Sequence, residues 1–224
     1  MSTPHKMRLA VLISGTGSNL QALIDHRHQA DYELVLVISN RPDVAGLEKA
    51  RLADIPQKVI DHTNYDSREA FDRAMMTEID AHQAEGVILA GFMRILTPEF
   101  TRHYLGRMLN IHPSLLPKYP GLNTHQRALD AGDREHGLSI HFVTPELDGG
   151  PVILQAKVAV SPHDTAESLH RKVQRFEHQA YPLVADWLAQ GSIALQNNQA
   201  WYKEAPLPQP LQLTEIDDAF PKHA

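Results

Sequence analysis

Short apolar runs alternate with segments of helical periodicity through the first half of the chain. The runs are continuous, which is typical of strands buried on both faces of a sheet. Predicted strands occupy residues 9–14, 34–39, 57–60, 86–90 and 108–112, and predicted helices occupy residues 18–28, 46–53 and 67–84. This order predicts an α/β fold, in which a mostly parallel sheet is flanked by helices.

The alternation of strands and helices changes after residue 112. Prolines and a glycine punctuate residues 113–121, which predicts a loop. Further elements are predicted as a helix over 124–131, strands over 137–143 and 151–160, and a helix over 165–190 that Pro182 kinks or interrupts. The two strands are predicted to extend the sheet in an antiparallel manner.

The chain contains no internal repeat, low-complexity tract or linker. It is therefore predicted to form a single domain over residues 1–224, with a core of about residues 7–201 and a tail of about residues 202–224. The tail is rich in proline and acidic residues, and we expect it to contribute little to the core.

Composition and charge narrow the function classes. The net charge of −6 argues against general nucleic-acid binding, which basic proteins typically perform. The absence of cysteine excludes disulfides, a thiolate nucleophile and a Cys-based metal site. No apolar run approaches the ~20 residues that span a bilayer. We therefore expect a cytoplasmic protein with no nucleic-acid or membrane partner.

A glycine-rich turn at residues 14–19 joins the first predicted strand to the first predicted helix. Backbone N–H groups at such a turn, together with the positive end of the helix, suit an anion. The alternative is a tight turn in which Ser18 caps the helix. The segment lacks the third glycine of a dinucleotide-binding motif and the lysine of a Walker A loop. A single phosphate group fits it best.

Asn110 and His112 lie two residues apart in the apolar run at residues 108–112. If this run is a strand, both side chains point to the same face. They would stand at its carboxyl end, because Pro113 follows, and ligands bind at this edge of open α/β sheets. An amide donor beside an imidazole suits a developing oxyanion and a proton transfer. The alternative is a hydrogen-bonded pair with a purely structural role.

Asp148 lies in the turn that joins the two later strands. An Asp-Gly turn is common for structural reasons alone. The functional interpretation is a carboxylate close to His112, which would favour the protonated imidazole. His141 is a candidate to support this group, and His125 to line the loop after Gly121. The fourteen histidines show no metal-binding spacing, so no metal site is expected.

Four separated motifs occur in one order, at residues 14–21, 89–96, 110–117 and 141–155. In this combination the chain resembles the phosphoribosylglycinamide formyltransferase family of purine biosynthesis, over about residues 7–201. The resemblance implies a Rossmann-like formyltransferase fold. It also implies transfer of a formyl group from 10-formyltetrahydrofolate, a co-substrate, to the amine of the phosphoribosyl substrate glycinamide ribonucleotide (GAR). It leaves open whether the protein is a monomer or a homodimer.

The resemblance further implies roles for individual residues. The catalytic residues would be Asn110, His112 and Asp148. GAR and its phosphate would contact Gly15, Thr16, Gly17, Ser18, Asn19 and Glu177. The folate would contact Arg68 at its tail and otherwise Met93, Arg94, Ile95, Leu96, Asn110, Val143 and Asp148.

Other functions share parts of this pattern. Methionyl-tRNA formyltransferase and formyltetrahydrofolate hydrolase use the same Asn-x-His and Asp chemistry. The first adds a C-terminal nucleic-acid-binding domain, whereas about 70 mostly helical and strand-forming residues follow Gly150 here. The second usually carries an N-terminal regulatory domain, and neither needs the phosphate turn. A non-catalytic nucleotide-binding module would leave Asn110, His112 and Asp148 unexplained, and the incomplete glycine motif argues against a nicotinamide oxidoreductase.

Overall fold

Strands and helices alternate from Met7 onwards in the structure, a computed structural model that describes residues 5–213. The strands are β1 (Met7–Ile13), β2 (Tyr32–Ser39), β3 (Gln57–Val59), β4 (Gly86–Leu89), β5 (Met108–His112), β6 (Glu135–Phe142), β7 (Val152–Ala159), β8 (Ile193–Gln196), β9 (Gln199–Tyr202), β10 (Ala205–Pro206) and β11 (Leu211–Gln212). The helices are α1 (Ser18–His26), α2 (Ala45–Leu52), α3 (Arg68–Ala81), α4 (Pro98–His103), α5 (Thr124–Asp130) and α6 (Ala166–Ala189), with a 3-10 turn at His62–Asn64.

The main sheet has the strand order β11-β7-β6-β5-β4-β1-β2-β3. Strands β1 to β5 pair in parallel, whereas β6 pairs antiparallel with both β5 and β7. Strands β8, β9 and β10 form a separate small antiparallel sheet. The predicted fold class, a mostly parallel sheet flanked by helices with an antiparallel C-terminal extension, is confirmed.

Strand β1 shows why its apolar run is continuous. Leu9, Val11 and Ile13 belong to the cluster of side chains that α1 and α6 cover. The alternate residues Ala10 and Leu12 belong to a second cluster, on the opposite face, that α3 and α4 cover. Since successive side chains of a strand point to opposite faces, a strand covered on both sides needs apolar residues at every position.

Helix α6 crosses one face of the sheet as one continuous helix, so the alternative in which Pro182 interrupts it is wrong. A capping box formed by Thr165 and Ser168 fixes its start. The buried hydroxyl of Tyr181 donates to the carbonyls of Leu89 and Leu109, which ties the helix to β4 and β5. Nowhere in residues 5–213 is a helix long and apolar enough to cross a membrane.

Several elements were not predicted. Helix α4 is only six residues long, too short for a periodic pattern, although Thr97 caps it and Pro98 opens it. Strand β11 pairs with β7, and Leu213 beside it is buried. The described part of the tail therefore contributes more to the core than expected, because Leu211 adds to the edge of the main sheet. The acidic part of the tail lies outside the described residues.

Candidate active site

Several of the predicted site residues lie at the carboxyl edge of the main sheet. Strands β1 and β4 are neighbours there, and the chain leaves them toward opposite ends of the sheet, which is where open α/β sheets bind ligands. A cavity of about 310 Å³ opens at this point. It is lined by Ser14, Gly15, Thr16, Gly17, Ser18, Asn19, Ala90, Gly91, Met93, Ile111, Pro113, His170, Gln174 and Glu177.

The glycine turn begins α1 without a side-chain cap, so the alternative in which Ser18 caps the helix is wrong. Gly17 is the N-cap and has a φ of 67°, in the left-handed region. Ser18 is the first helical residue, and its hydroxyl accepts a hydrogen bond from Gln174 at 3.2 Å. The first N–H groups of α1 thus lack a side-chain acceptor within the described part of the chain, which leaves a partial positive charge toward the cavity.

Gly17→Ala is expected to lower the free energy of unfolding by about 1–3 kcal/mol, because an L-residue is strained at this φ and an added methyl overpacks. A Cβ at Gly17 would lie 2.7 Å from the Cα of Gly46, on α2. Gly15→Ala is the matched control, since nothing lies within 4 Å of its added Cβ. Chemical denaturation of both variants measures the difference. Equal stability of the two variants would contradict the close packing of α1 on α2.

A buried carboxylate faces the glycine turn. Glu177, on α6, is 6% exposed and accepts a hydrogen bond from Asn19 Nδ2 at 2.9 Å. The amide oxygen of Asn19 is buried and has no hydrogen-bond partner among the described residues. An unpartnered buried acceptor is costly. The pair therefore offers acceptor oxygens to hydroxyl or amine donors of a ligand.

Asn110 is held by its neighbour across the sheet. In the β5–β6 register Asn110 pairs with His141, and their side chains meet at 3.2 Å between Nδ2 and Nε2. His141 Nδ1 donates to the carbonyl of Phe142 at 2.9 Å. Burial lowers the pKa of His141, so its Nε2 is unprotonated and accepts from Asn110. One amide hydrogen of Asn110 is thereby fixed, and the second is free for a ligand.

His112 is buried at the end of β5, with both ring nitrogens in defined surroundings. Nε2 donates to the carbonyl of Tyr119 at 2.8 Å. Nδ1 lies 3.5 Å from Oδ2 of Asp148, too far for a strong hydrogen bond. Nδ1 is therefore the ring nitrogen that makes no hydrogen bond within the described residues.

Asp148 lies between the two histidines. Its Oδ1 is 3.8 Å from Nε2 of His141, and its side chain is 8% exposed. The backbone N–H of Gly121 donates to Oδ2 at 2.8 Å, which joins the two loops that surround the site. Asp148 itself has a φ of 49°, which Asp tolerates better than most residues. The structure thus brings Asn110, His112 and Asp148 together, as the sequence pattern predicts.

The residues expected to contact folate are spread around this centre. Met93 and Ile95 are 60% and 55% exposed, whereas Leu96 and Val143 are buried in the second apolar cluster. The N–H of Met93 donates to Ser14 Oγ at 2.8 Å, which ties this segment to the glycine turn.

The two predicted arginines are also exposed. Arg68 is the first residue of α3 and acts electrostatically on buried Asp72, which accepts from the N–H of Thr97 at 2.6 Å. This contact places Arg68 near the start of α4. Met93 lines the cavity, whereas Arg68 and Arg94 do not.

Sequence reasoning did not identify several groups at the site. His170 and Gln174 line the cavity. They precede Glu177 by seven and by three residues, which places all three on one face of the helix, and this spacing could have indicated them. The carbonyl of Tyr119 and the N–H of Gly121 are backbone groups, and no pattern of side chains indicates them.

Known proteins are similar to this chain over most of its length. A model of the formyl transferase family matches residues 7–185. Phosphoribosylglycinamide formyltransferase of Escherichia coli is 53% identical over 204 residues, which cover 90% of this chain and 96% of that protein. The trifunctional purine biosynthetic protein adenosine-3 of Bos taurus is 48% identical over 197 residues, which cover 87% of this chain and 20% of that protein.

Solved structures show the same fold. The phosphoribosylglycinamide formyltransferase of Coxiella burnetii, solved with CHES, superposes with a TM-score of 0.89 at 47% identity, covering 92% of this chain and 99% of that one. Glycinamide ribonucleotide transformylase 1 of Symbiobacterium toebii superposes with a TM-score of 0.86 at 40% identity, covering 89% and 95%. The chain therefore belongs to the formyl transferase family, among the phosphoribosylglycinamide formyltransferases.

Proposed function

We propose that Asn110, His112 and Asp148 transfer the formyl group of 10-formyltetrahydrofolate to the amine of GAR, in de novo purine biosynthesis. The products are formyl-GAR and tetrahydrofolate. The observation that carries the proposal is the meeting of these three side chains at one sheet edge, with His112 Nδ1 3.5 Å from Asp148. The uncapped start of α1 lies on the same edge and suits the phosphate of GAR.

GAR fits the cavity by charge and by hydrogen bonding. Its phosphate would accept from the backbone N–H groups of residues 15–19. The ribose hydroxyls would donate to Glu177 and to the unpartnered oxygen of Asn19. This orientation points the glycinamide amine away from the turn and toward His112.

The folate fits the other side of the catalytic residues. Large apolar side chains are exposed at Met93, Ile95 and Leu147. Contact with the flat ring system of the folate is more favourable for them than contact with water. Arg68 supplies a positive charge for the carboxylates of the folate tail. When bound, the folate supplies an activated formyl group on its N10 nitrogen.

The side chains would act on the charge that develops as the amine adds to the formyl carbon. The carbonyl oxygen becomes negative, and the free amide hydrogen of Asn110 and a proton on Nδ1 of His112 donate to it. The carboxylate of Asp148 faces Nδ1 of His112 and would stabilise positive charge on the ring. As the bond from the carbon to N10 breaks, the amine proton passes to N10, through a water that Asp148 orients. No covalent bond to the protein forms.

Asn110→Ala is expected to lower kcat about 100- to 1000-fold, the usual cost of losing one preorganised oxyanion donor. KM for both substrates should change much less, because the lost hydrogen bond forms only with the developing charge. The measurement is initial rates at varied GAR and varied folate. His141→Ala is a useful comparison, since it removes the support of Asn110 and leaves the donor, and a smaller loss of kcat is expected. A loss for Asn110→Ala confined to KM would contradict the role.

The reaction itself can be tested directly. The protein is incubated with GAR and 10-formyltetrahydrofolate, and the folate product is followed by absorbance. One control omits GAR and detects a hydrolase. A second control replaces GAR with charged initiator tRNA and detects a tRNA formyltransferase. We expect product only when GAR is present.

A further inference from the structure

Three histidine rings form a hydrogen-bonded row beside the cavity. Nδ1 of His125 lies 3.0 Å from Nε2 of His136, and Nδ1 of His170 lies 3.3 Å from Nε2 of His125. Neighbouring rings meet edge to face, with centroids 5.1 Å and 5.3 Å apart. The row joins α5, β6 and α6, and the reaction proposed above makes no use of it.

The donor and the acceptor of each hydrogen bond in this row can be assigned. His136 donates to the carbonyl of Pro113, the residue after His112, and burial lowers the pKa of His136. Its Nε2 is therefore unprotonated, and Nδ1 of His125 must donate to it. Burial, followed by the neighbouring His136 and His170, lowers the pKa of His125 to about 4. At neutral pH the Nε2 of His125 thus accepts, and Nδ1 of His170 donates.

The outer end of the row reaches the cavity. His170 and Gln174 both line it, with 3.5 Å between their Nε2 atoms. Among the described residues that line the cavity, His170 is the one side chain that can become a cation, whereas Glu177 is an acid. Lys49 donates to the carbonyl of Gly17 at 3.1 Å and does not itself line this cavity.

We infer that His170 binds the phosphate of GAR through Nε2, and that His125 and His136 act as positioning residues that hold its other nitrogen inward. The inference rests on the proposed function, which places the phosphate at the glycine turn. Because Nδ1 of His170 already carries a proton, any added proton sits on Nε2. A proton on Nε2 can donate to a phosphate oxygen, and a hydrogen bond to a charged group is stronger than a neutral one.

His170→Ala tests the binding role. We expect KM for GAR to rise about 10-fold, the effect of one hydrogen bond to a charged group, while kcat and KM for the folate stay within about 2-fold. Inorganic phosphate, used as a competitor of GAR, should lose affinity by a similar factor. His163→Ala is the matched control, because His163 is an exposed histidine that does not line the cavity.

The outcomes separate the inference from the proposed function. If the wild-type protein turns over GAR and His170→Ala leaves KM for GAR and the inhibition by phosphate unchanged, the inference is overturned. If the wild-type protein does not turn over GAR, the proposed function fails. Direct binding of inorganic phosphate, measured by ³¹P NMR titration of both proteins, then still decides whether His170 holds a phosphate.

His125→Phe tests the positioning role, since it keeps a ring between its neighbours and removes the acceptor for His170. We expect KM for GAR to rise about 3-fold, with thermal stability measured in parallel. In the double variant with His170→Ala the two effects should not add, because both act through one hydrogen bond. Multiplied effects in the double variant would show that His125 acts independently of His170 and would overturn the positioning role.

Discussion

Replacing His112 with alanine is expected to lower kcat about 1000-fold while KM for GAR and for 10-formyltetrahydrofolate changes less than about 3-fold. Nε2 of His112 donates to Tyr119, which leaves Nδ1 as the ring nitrogen without a hydrogen bond among the described residues. A proton on Nδ1 would stabilise the formyl oxygen only as it becomes negative. The loss therefore falls on the transition state, and steady-state rates at saturating substrates measure it.

The control for His112→Ala must loosen the same loop without changing the reacting groups. Ser114→Ala does this, since the hydroxyl of Ser114 donates to the carbonyl of Lys118 at 2.6 Å, next to Tyr119. We expect its kcat to stay within about 3-fold of the wild type. A kcat for His112→Ala within a few-fold of the wild type would contradict its catalytic role. An equal loss in Ser114→Ala would show that His112 acts by holding the loop.

Most of the main sheet could be predicted because its signals are local. The apolar runs of β1, β2 and β4 are continuous, and each is closed by a polar or glycine turn. Strands β8 and β9 carry no such run, and their turn depends on Asn197 and Asn198 in the left-handed region. Strand β11 forms where the four-residue connection after β10, residues 207–210, returns the chain to β7, and a two-residue pairing leaves no periodicity to recognise.

The site also contains residues that the sequence indicates and partners that only the tertiary fold brings close to them. Asn110 and His112 stand out because polar side chains are costly in an apolar strand. Their partners are backbone groups of loops or, in His141, a residue on another strand, and only the tertiary fold brings these together. Gly17 illustrates the difference. Its sequence context predicts a phosphate turn, whereas its contact with Gly46 adds a packing role that is visible only in the structure.

Asp148→Asn is expected to lower kcat about 100- to 1000-fold, the range of a lost acid–base or charge-stabilising group. Asparagine keeps the size of the side chain and an oxygen that can accept from the N–H of Gly121. It removes the negative charge 3.5 Å from Nδ1 of His112, so no neighbouring carboxylate stabilises positive charge on the ring. Rates at saturating GAR and folate measure the loss.

Two further variants separate the charge of Asp148 from its structural contact. Asp148→Ala also removes the acceptor of the Gly121 N–H, so it should add a loss of thermal stability that Asp148→Asn does not show. Glu146→Gln removes an exposed charge from the same loop and should leave kcat unchanged. If Asp148→Asn kept wild-type kcat while Asp148→Ala did not, the carboxylate would serve only to join the two loops.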